Sequence, residues 1–312
     1  MTGDRSSMSV TVTETTFETW EDCLSLSNGV VELVVTTGVG PRVLSCGFAD
    51  GPNLLFTDES RTPLDGYDEY RIHGGHRLWH APEDAERTYV PDNDPVKWTE
   101  LDGGVELAAP VETETGIRKT LSVRLAADRP VAEVTHELGN AGAWPVELAP
   151  WAITVFEADA RAVVPLSRRG EGLLPDRSLS LWPYTDLADD RLTTAPETLL
   201  VEGDPGADGA FKVGASGANE WAGCVVDGVG FVKEFAYDET ATYPDRGSAV
   251  EVYTDGSVLE LETLGPLVEL DPGESAVHTE TWRLLDATGL DAGSAAASGD
   301  LVADLRTALA PP

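Results

Sequence analysis

The sequence predicts an all-β chain, one large sandwich of hairpins followed by a short C-terminal helix. Period-two alternation with β-branched residues runs from residue 9 to residue 285. Gly, Pro, Asn and Asp interrupt it every ten residues or so, as hairpin turns require. Helical spacing is convincing only at the end, in Leu301, Leu305 and Leu309 behind Asp300 as N-cap.

The strands follow from these turns. Asn28-Gly29 opens a strand over 30–36, and a second spans 42–48. Asp102-Gly103-Gly104 precedes 105–108, with long alternating runs at 117–126 and 131–138. After Asn140-Ala141-Gly142 come 146–156, 162–165, 211–213, 229–237 and 249–254. Asp255-Gly256 then leads into 257–263, and Asp271-Pro272-Gly273 into 276–285. No composition break divides the series, so 1–285 reads as one domain and 286–312 as a tail carrying the helix. Residues 57–99 and 166–195 break the rhythm with Pro, Asp, Arg, Trp and Tyr and read as long loops, where a rigid scaffold mounts its binding groups.

Charge narrows the setting. The 55 Asp and Glu against 21 Lys and Arg give a formal net charge of −34, and Lys occurs only at 97, 119, 212 and 233. Such self-repulsion weakens a compact state unless salt screens it, and at roughly molar salt the Debye length is about 3 Å. The acids are spread along the whole chain, which predicts a halophilic, cytoplasmic protein rather than an acidic tail. Clustered Lys and Arg for phosphate are missing, so no nucleic-acid partner is expected. With no long apolar run and a polar start from Met1 to Thr16, neither a membrane partner nor export is expected. Cys23, Cys46 and Cys224, an odd number without CxxC spacing, predict buried thiols.

Three of the five histidines fall in His73-Gly74-Gly75-His76-Arg77-Leu78-Trp79-His80, before Ala81-Pro82-Glu83. Glycine admits positive φ or a close ligand, His and Arg offer directional donors, and Trp offers an apolar face. The bland reading is a loop whose Trp plugs the core. His73, His76 and His80 with Glu83 could suit a divalent ion, but their spacing lies on no evident helix and no metal is assigned. Arg168-Arg169 and Trp182-Pro183-Tyr184 could line the same cleft, or pair with surface acids.

Several segments resemble one superfamily. Asn28-Gly29-Val30-Val31-Glu32-Leu33, Gly40-Pro41-Arg42-Val43-Leu44-Ser45 and Asn53-Leu54-Leu55-Phe56 look like the opening strands of aldose-1-epimerase-like proteins. Ile72-His73-Gly74-Gly75 is similar to their histidine-glycine-glycine substrate segment. Residues 74–82 with Arg87-Thr88-Tyr89-Val90-Pro91-Asp92-Asn93 look closer still to the DUF4380 branch of this galactose-mutarotase superfamily. The resemblance implies a twisted β-supersandwich, a pyranose in a cleft, no cofactor, a late glutamate base and a histidine acid from the middle of the chain. Glu262, in Leu259-Glu260-Leu261-Glu262-Thr263-Leu264-Gly265-Pro266, is the best match to that base, with Glu260 two positions back on the same strand face.

Trp151 stands where the acid histidine is expected, so His76 becomes the candidate acid; His136 reads as a half-buried strand histidine. His73, Arg77, Trp79, Tyr89, Asn93 and Trp151 are the candidate sugar-binding residues. Mutarotation asks for a base on the anomeric hydroxyl and an acid on the ring oxygen, which a carboxylate and an imidazole can supply. Two readings follow: a cofactor-free mutarotase-like enzyme using Glu262 and His76, or a non-catalytic carbohydrate-binding or sensing module. A lyase or hydrolase on the same cleft is a third.

Overall fold

Alternating residues with one apolar face must bury that face, and here they do so by stacking two antiparallel sheets. A computed structural model of the chain describes residues 9–166, 173–217 and 219–288. The first sheet has eleven strands. From one edge run β1 (Thr11–Phe17), β2 (Trp20–Ser27), β3 (Val31–Thr36), β4 (Arg42–Phe48) and β5 (His76–Ala81). β10 (Val146–Glu157), β19 (Val258–Leu264), β18 (Val250–Thr254), β15 (Phe211–Ala215) and β12 (Leu179–Leu181) complete the row, with β20 (Val268–Leu270) paired to the start of β10.

The second sheet has ten strands. Its order is β13 (Leu192–Ala195), β14 (Thr198–Glu202), β11 (Arg161–Pro165), β16 (Trp221–Val226), β17 (Val229–Phe235), β21 (Ser275–Asp286), β9 (Val131–Asn140), β8 (Ile117–Leu125), β7 (Gly104–Ala108) and β6 (Lys97–Leu101). One hydrophobic cluster, from Leu24 to Leu284, draws on both sheets. The expected all-β sandwich is therefore the fold, and most predicted strands stand within a residue or two of their expected bounds. The expected C-terminal helix, with Arg168 and Arg169, lies outside the described residues. The three cysteines are buried and free, and no described helix is long and apolar enough to cross a membrane.

One segment departs from expectation in a way that decides the site. The stretch around the histidines, expected as loop, forms β5 between β4 and β10. Every residue of β5 is buried on both faces, so the polar–apolar alternation that marks a half-exposed strand is missing. Gly74 and Gly75 bring the chain into it with φ of 76° and 69°. A Cβ on Gly75 would lie 2.2 Å from the Val43 carbonyl oxygen, and one on Gly74 2.3 Å from that of Phe56. The glycine pair answers to close backbone packing rather than to a ligand.

A second feature sits between the sheets. His76 of β5 hydrogen-bonds Thr154 of β10 through Nδ1 at 2.8 Å and His136 of β9 through Nε2 at 2.6 Å. His136 Nδ1 donates to the His278 carbonyl at 2.9 Å, which leaves His136 Nε2 to accept from His76. Beside them the Lys233 ammonium of β17 meets Glu280 of β21 at 2.9 Å and donates to the Leu261 carbonyl of β19 at 3.1 Å. Thr263 and the Trp282 indole also donate to Glu280. Burial opposes the charge on Glu280, yet the Lys233 ammonium, foremost among its neighbours, holds the carboxyl well below the usual range. This polar seam ties one sheet to the other through satisfied hydrogen bonds.

Candidate functional site

Strand alternation sends the other set of side chains to the outer face of the first sheet. There Arg77 stands opposite Ile153, Ile153 opposite Glu262, and Glu262 opposite Glu251. One row over, Trp79 faces Trp151. On the other side Val155 faces Glu260, Glu260 faces Tyr253, and Tyr253 faces Lys212. Side chains of β5, β10, β19, β18 and β15 thus form the floor of a cleft of about 690 Å³, and Tyr70, His73, Tyr89 and Tyr184 from the long loops help to wall it.

The floor is aromatic and charged together. Ring centroids lie 5.3 Å apart for Trp79 and Trp151, 5.1 Å for Trp79 and Tyr89, and 5.6 Å for Tyr70 and Trp79. The Arg77 guanidinium lies 4.4 Å over the Trp79 ring and pairs with Glu260 at 3.0 Å. Burial and the charge of Glu262 raise the Glu260 carboxyl above its ordinary value, against the pull of Arg77. Lys212 sits 4.7 Å over Trp151 and 4.8 Å over Trp182, with Glu251 Oε2 at 2.8 Å and Glu262 Oε2 at 2.9 Å. Burial works against its charge, but the two carboxylates win and keep the ammonium above an ordinary lysine.

Glu262 is wholly buried under this floor. Its Oε2 accepts the Trp151 indole N–H at 2.6 Å as well as the Lys212 ammonium, while Oε1 has no partner. Burial and the charge of Glu262 push the Glu251 carboxyl well above its ordinary value, against the pull of Lys212.

Of the residues singled out by sequence, Arg77, Trp79, Tyr89, Trp151 and His73 line the cleft. Asn93 stands behind it: its Nδ2 donates to the Glu69 carbonyl at 2.8 Å, so its oxygen accepts His73 Nε2–H at 3.0 Å. That leaves His73 Nδ1 bare and unpartnered, and burial with Arg42 lowers this imidazole to about 4. His76 is a correction. It shares the inner face of β5 with Leu78, is wholly buried in the polar seam, and does not meet Glu262 at the cleft. His80, the next residue on that face, is buried as well.

Sequence reasoning missed Lys212, Glu251 and Tyr253. The available signal was scarcity: a lysine inside an apolar strand, Phe211-Lys212-Val213, in a chain with four lysines, needs a buried partner.

No family model matches the chain, and no curated protein does. Solved structures do match in fold. A galactose mutarotase-like protein from Lactobacillus casei superposes with a TM-score of 0.57 at 9% identity, over 84% of this chain and 100% of that one. A galactose mutarotase related enzyme from Lactobacillus acidophilus gives 0.55 at 9%, over 86% and 98%. A TPR-domain containing protein from Parabacteroides distasonis gives 0.57 at 13%, over 92% of this chain, which spans 56% of that protein's length. The chain therefore has the galactose mutarotase-like fold.

Proposed function

We propose that this chain is a carbohydrate-binding protein whose cleft holds a sugar without turning it over. The carrying observation is the Trp151–Glu262–Lys212 arrangement: an indole N–H and an ammonium share Oε2 of a carboxylate with no exposed surface. A general base has to reach the proton it removes, and an acid has to release one near working pH. Glu262 lies beneath the floor, and Trp151, where the resemblance puts a histidine, has no proton to give at such a pH. The cleft itself suits a pyranose. Trp79, Trp151, Tyr70 and Tyr89 supply aromatic lining, while Glu260, Arg77 and Ser257 supply hydroxyl partners. The mutarotase-like fold supports a sugar by analogy.

One observation favours a second reading, a mutarotase-type enzyme. Glu260 does line the cleft, and its raised carboxyl is better matched to proton transfer than an ordinary one. Calorimetric titration with a panel of monosaccharides, beside NMR exchange spectroscopy of their anomers in concentrated potassium chloride, separates the readings. Saturable binding with exchange at the uncatalysed rate is expected. Protein-dependent exchange that disappears in Glu260→Gln but survives in Glu262→Gln would establish the second reading. Exchange lost in Glu262→Gln would restore that residue as base, and a panel that fails to bind would refute a carbohydrate ligand.

A further inference from the structure

The charges around the cleft select among sugars, an inference that rests on the carbohydrate reading above. Among the described residues, three permanent cations line it, Arg42, Arg77 and Lys212, and each already holds a carboxylate. Arg42 meets Asp92 at 2.7 Å with its own side chain 1% exposed, Arg77 meets Glu260, and Lys212 is shared between Glu251 and Glu262. Asp58, Glu83 and Asp255 line the cleft too, and their recorded partners are hydroxyls and backbone N–H groups, not cations. Four carboxylates, Asp58, Glu83, Asp255 and Glu260, thus line the cleft with the three cations, and Asp92, Glu251 and Glu262 stand behind as partners of Arg42 and Lys212.

A phosphate or uronate entering here would meet only cations that already hold a carboxylate, and would face Asp58, Glu83 and Asp255, whose partners are not cations. An ammonium would find the opposite. Arg77 uses Glu260 Oε1, leaving Oε2 for a ligand, and Tyr70, Tyr89 and Tyr253 line the same cleft. Acid beside aromatic rings is the chemistry that binds organic cations, and Arg77 over Trp79 and Lys212 over Trp151 show that this lining accepts cations.

We propose that the cleft is selective for an ammonium-bearing sugar, prefers it to the neutral parent, and excludes anionic sugars. The test is calorimetric titration at one fixed ionic strength with four probes: a hexose, its 2-amino-2-deoxy analogue, its 6-phosphate and its uronate. The amino sugar should bind at least threefold tighter than the hexose, and the two anionic probes at least tenfold weaker. Glu260→Gln should narrow the amino-to-neutral ratio toward one. A 6-phosphate or uronate that equals or exceeds the hexose overturns the proposal, as does an amino sugar weaker than the hexose. Binding of none of the four removes the carbohydrate reading itself and is told apart from wrong selectivity by that result.

Discussion

At the scale of single residues, Lys212 is the cation on which the cleft floor depends. Removing it leaves Glu251 and Glu262 side by side, directly opposite on paired strands, with no counter-charge. Lys212→Met should cost about 3–5 kcal/mol in urea unfolding, the range for breaking a buried pair by deleting one partner. Adding Glu262→Gln should return part of that loss, because one charge then disappears with the other; a double variant no more stable than the single one would contradict the account. Trp151→Phe keeps one aromatic ring but deletes the pyrrole half with the N–H held by Glu262, with an expected loss of about 1–3 kcal/mol for the hydrogen bond taken from the carboxylate and more for the void left behind. Five of the expected binding residues, His73, Arg77, Trp79, Tyr89 and Trp151, come together along one cleft, three of them from the segment around Gly74 and Gly75. The direction each side chain takes was not legible in the sequence, because it depends on whether the backbone is strand or loop.

At the scale of elements, β5 supplies both halves of the site's logic. Its odd positions, Arg77 and Trp79, enter the cleft, while its even positions, His76 and Leu78, enter the space between the sheets. Gly75 fixes that phase: its N–H bonds the Phe56 carbonyl at 2.6 Å and its carbonyl accepts from Val155 at 2.9 Å. Gly75→Ala forces a Cβ against the Val43 carbonyl at a positive φ, so a loss above about 2 kcal/mol is expected. Gly66→Ala is the control, with φ of 87° but nothing within 4 Å of its Cβ, and about 1 kcal/mol or so suffices there. Equal losses would show that crowding at Gly75 is unimportant. The 117–138 pair was readable because one face is wet, whereas the strands at and next to the sheet edges, β1, β2, β6, β13 and β14, were not among the predicted strands. A strand buried on both faces, like β5, and short ones such as β12 and β20 give no alternation to read.

At the scale of the whole molecule, two solution properties follow. Burial lowers His73 and His80 to about 4 and His278 to about 3, against about 6.5 in an unfolded chain. The folded state thus binds fewer protons than the unfolded one, so this stability is complete above about pH 6.5 and drains as pH falls toward 4. Urea midpoints measured from pH 8 to pH 4 in molar potassium chloride, where surface repulsion is screened, should fall from about pH 6.5 downward. A flat profile to pH 5 would contradict the neutral, buried imidazoles. At neutral pH the net charge of −34 predicts a melting temperature that climbs steeply between roughly 0.1 M and 3 M salt. The same economy of cations has a consequence for chemical labelling. Lys119, Lys212 and Lys233 are each buried in an ion pair, and Lys97 is exposed. An amine-reactive acylating reagent should therefore mark a single lysine in the native protein and all four once the sandwich opens. The fraction of the intact mass that carries three further adducts then reports the fraction of molecules that have opened, any free α-amine adding a constant to both forms, with no dye, tag or chromophore required.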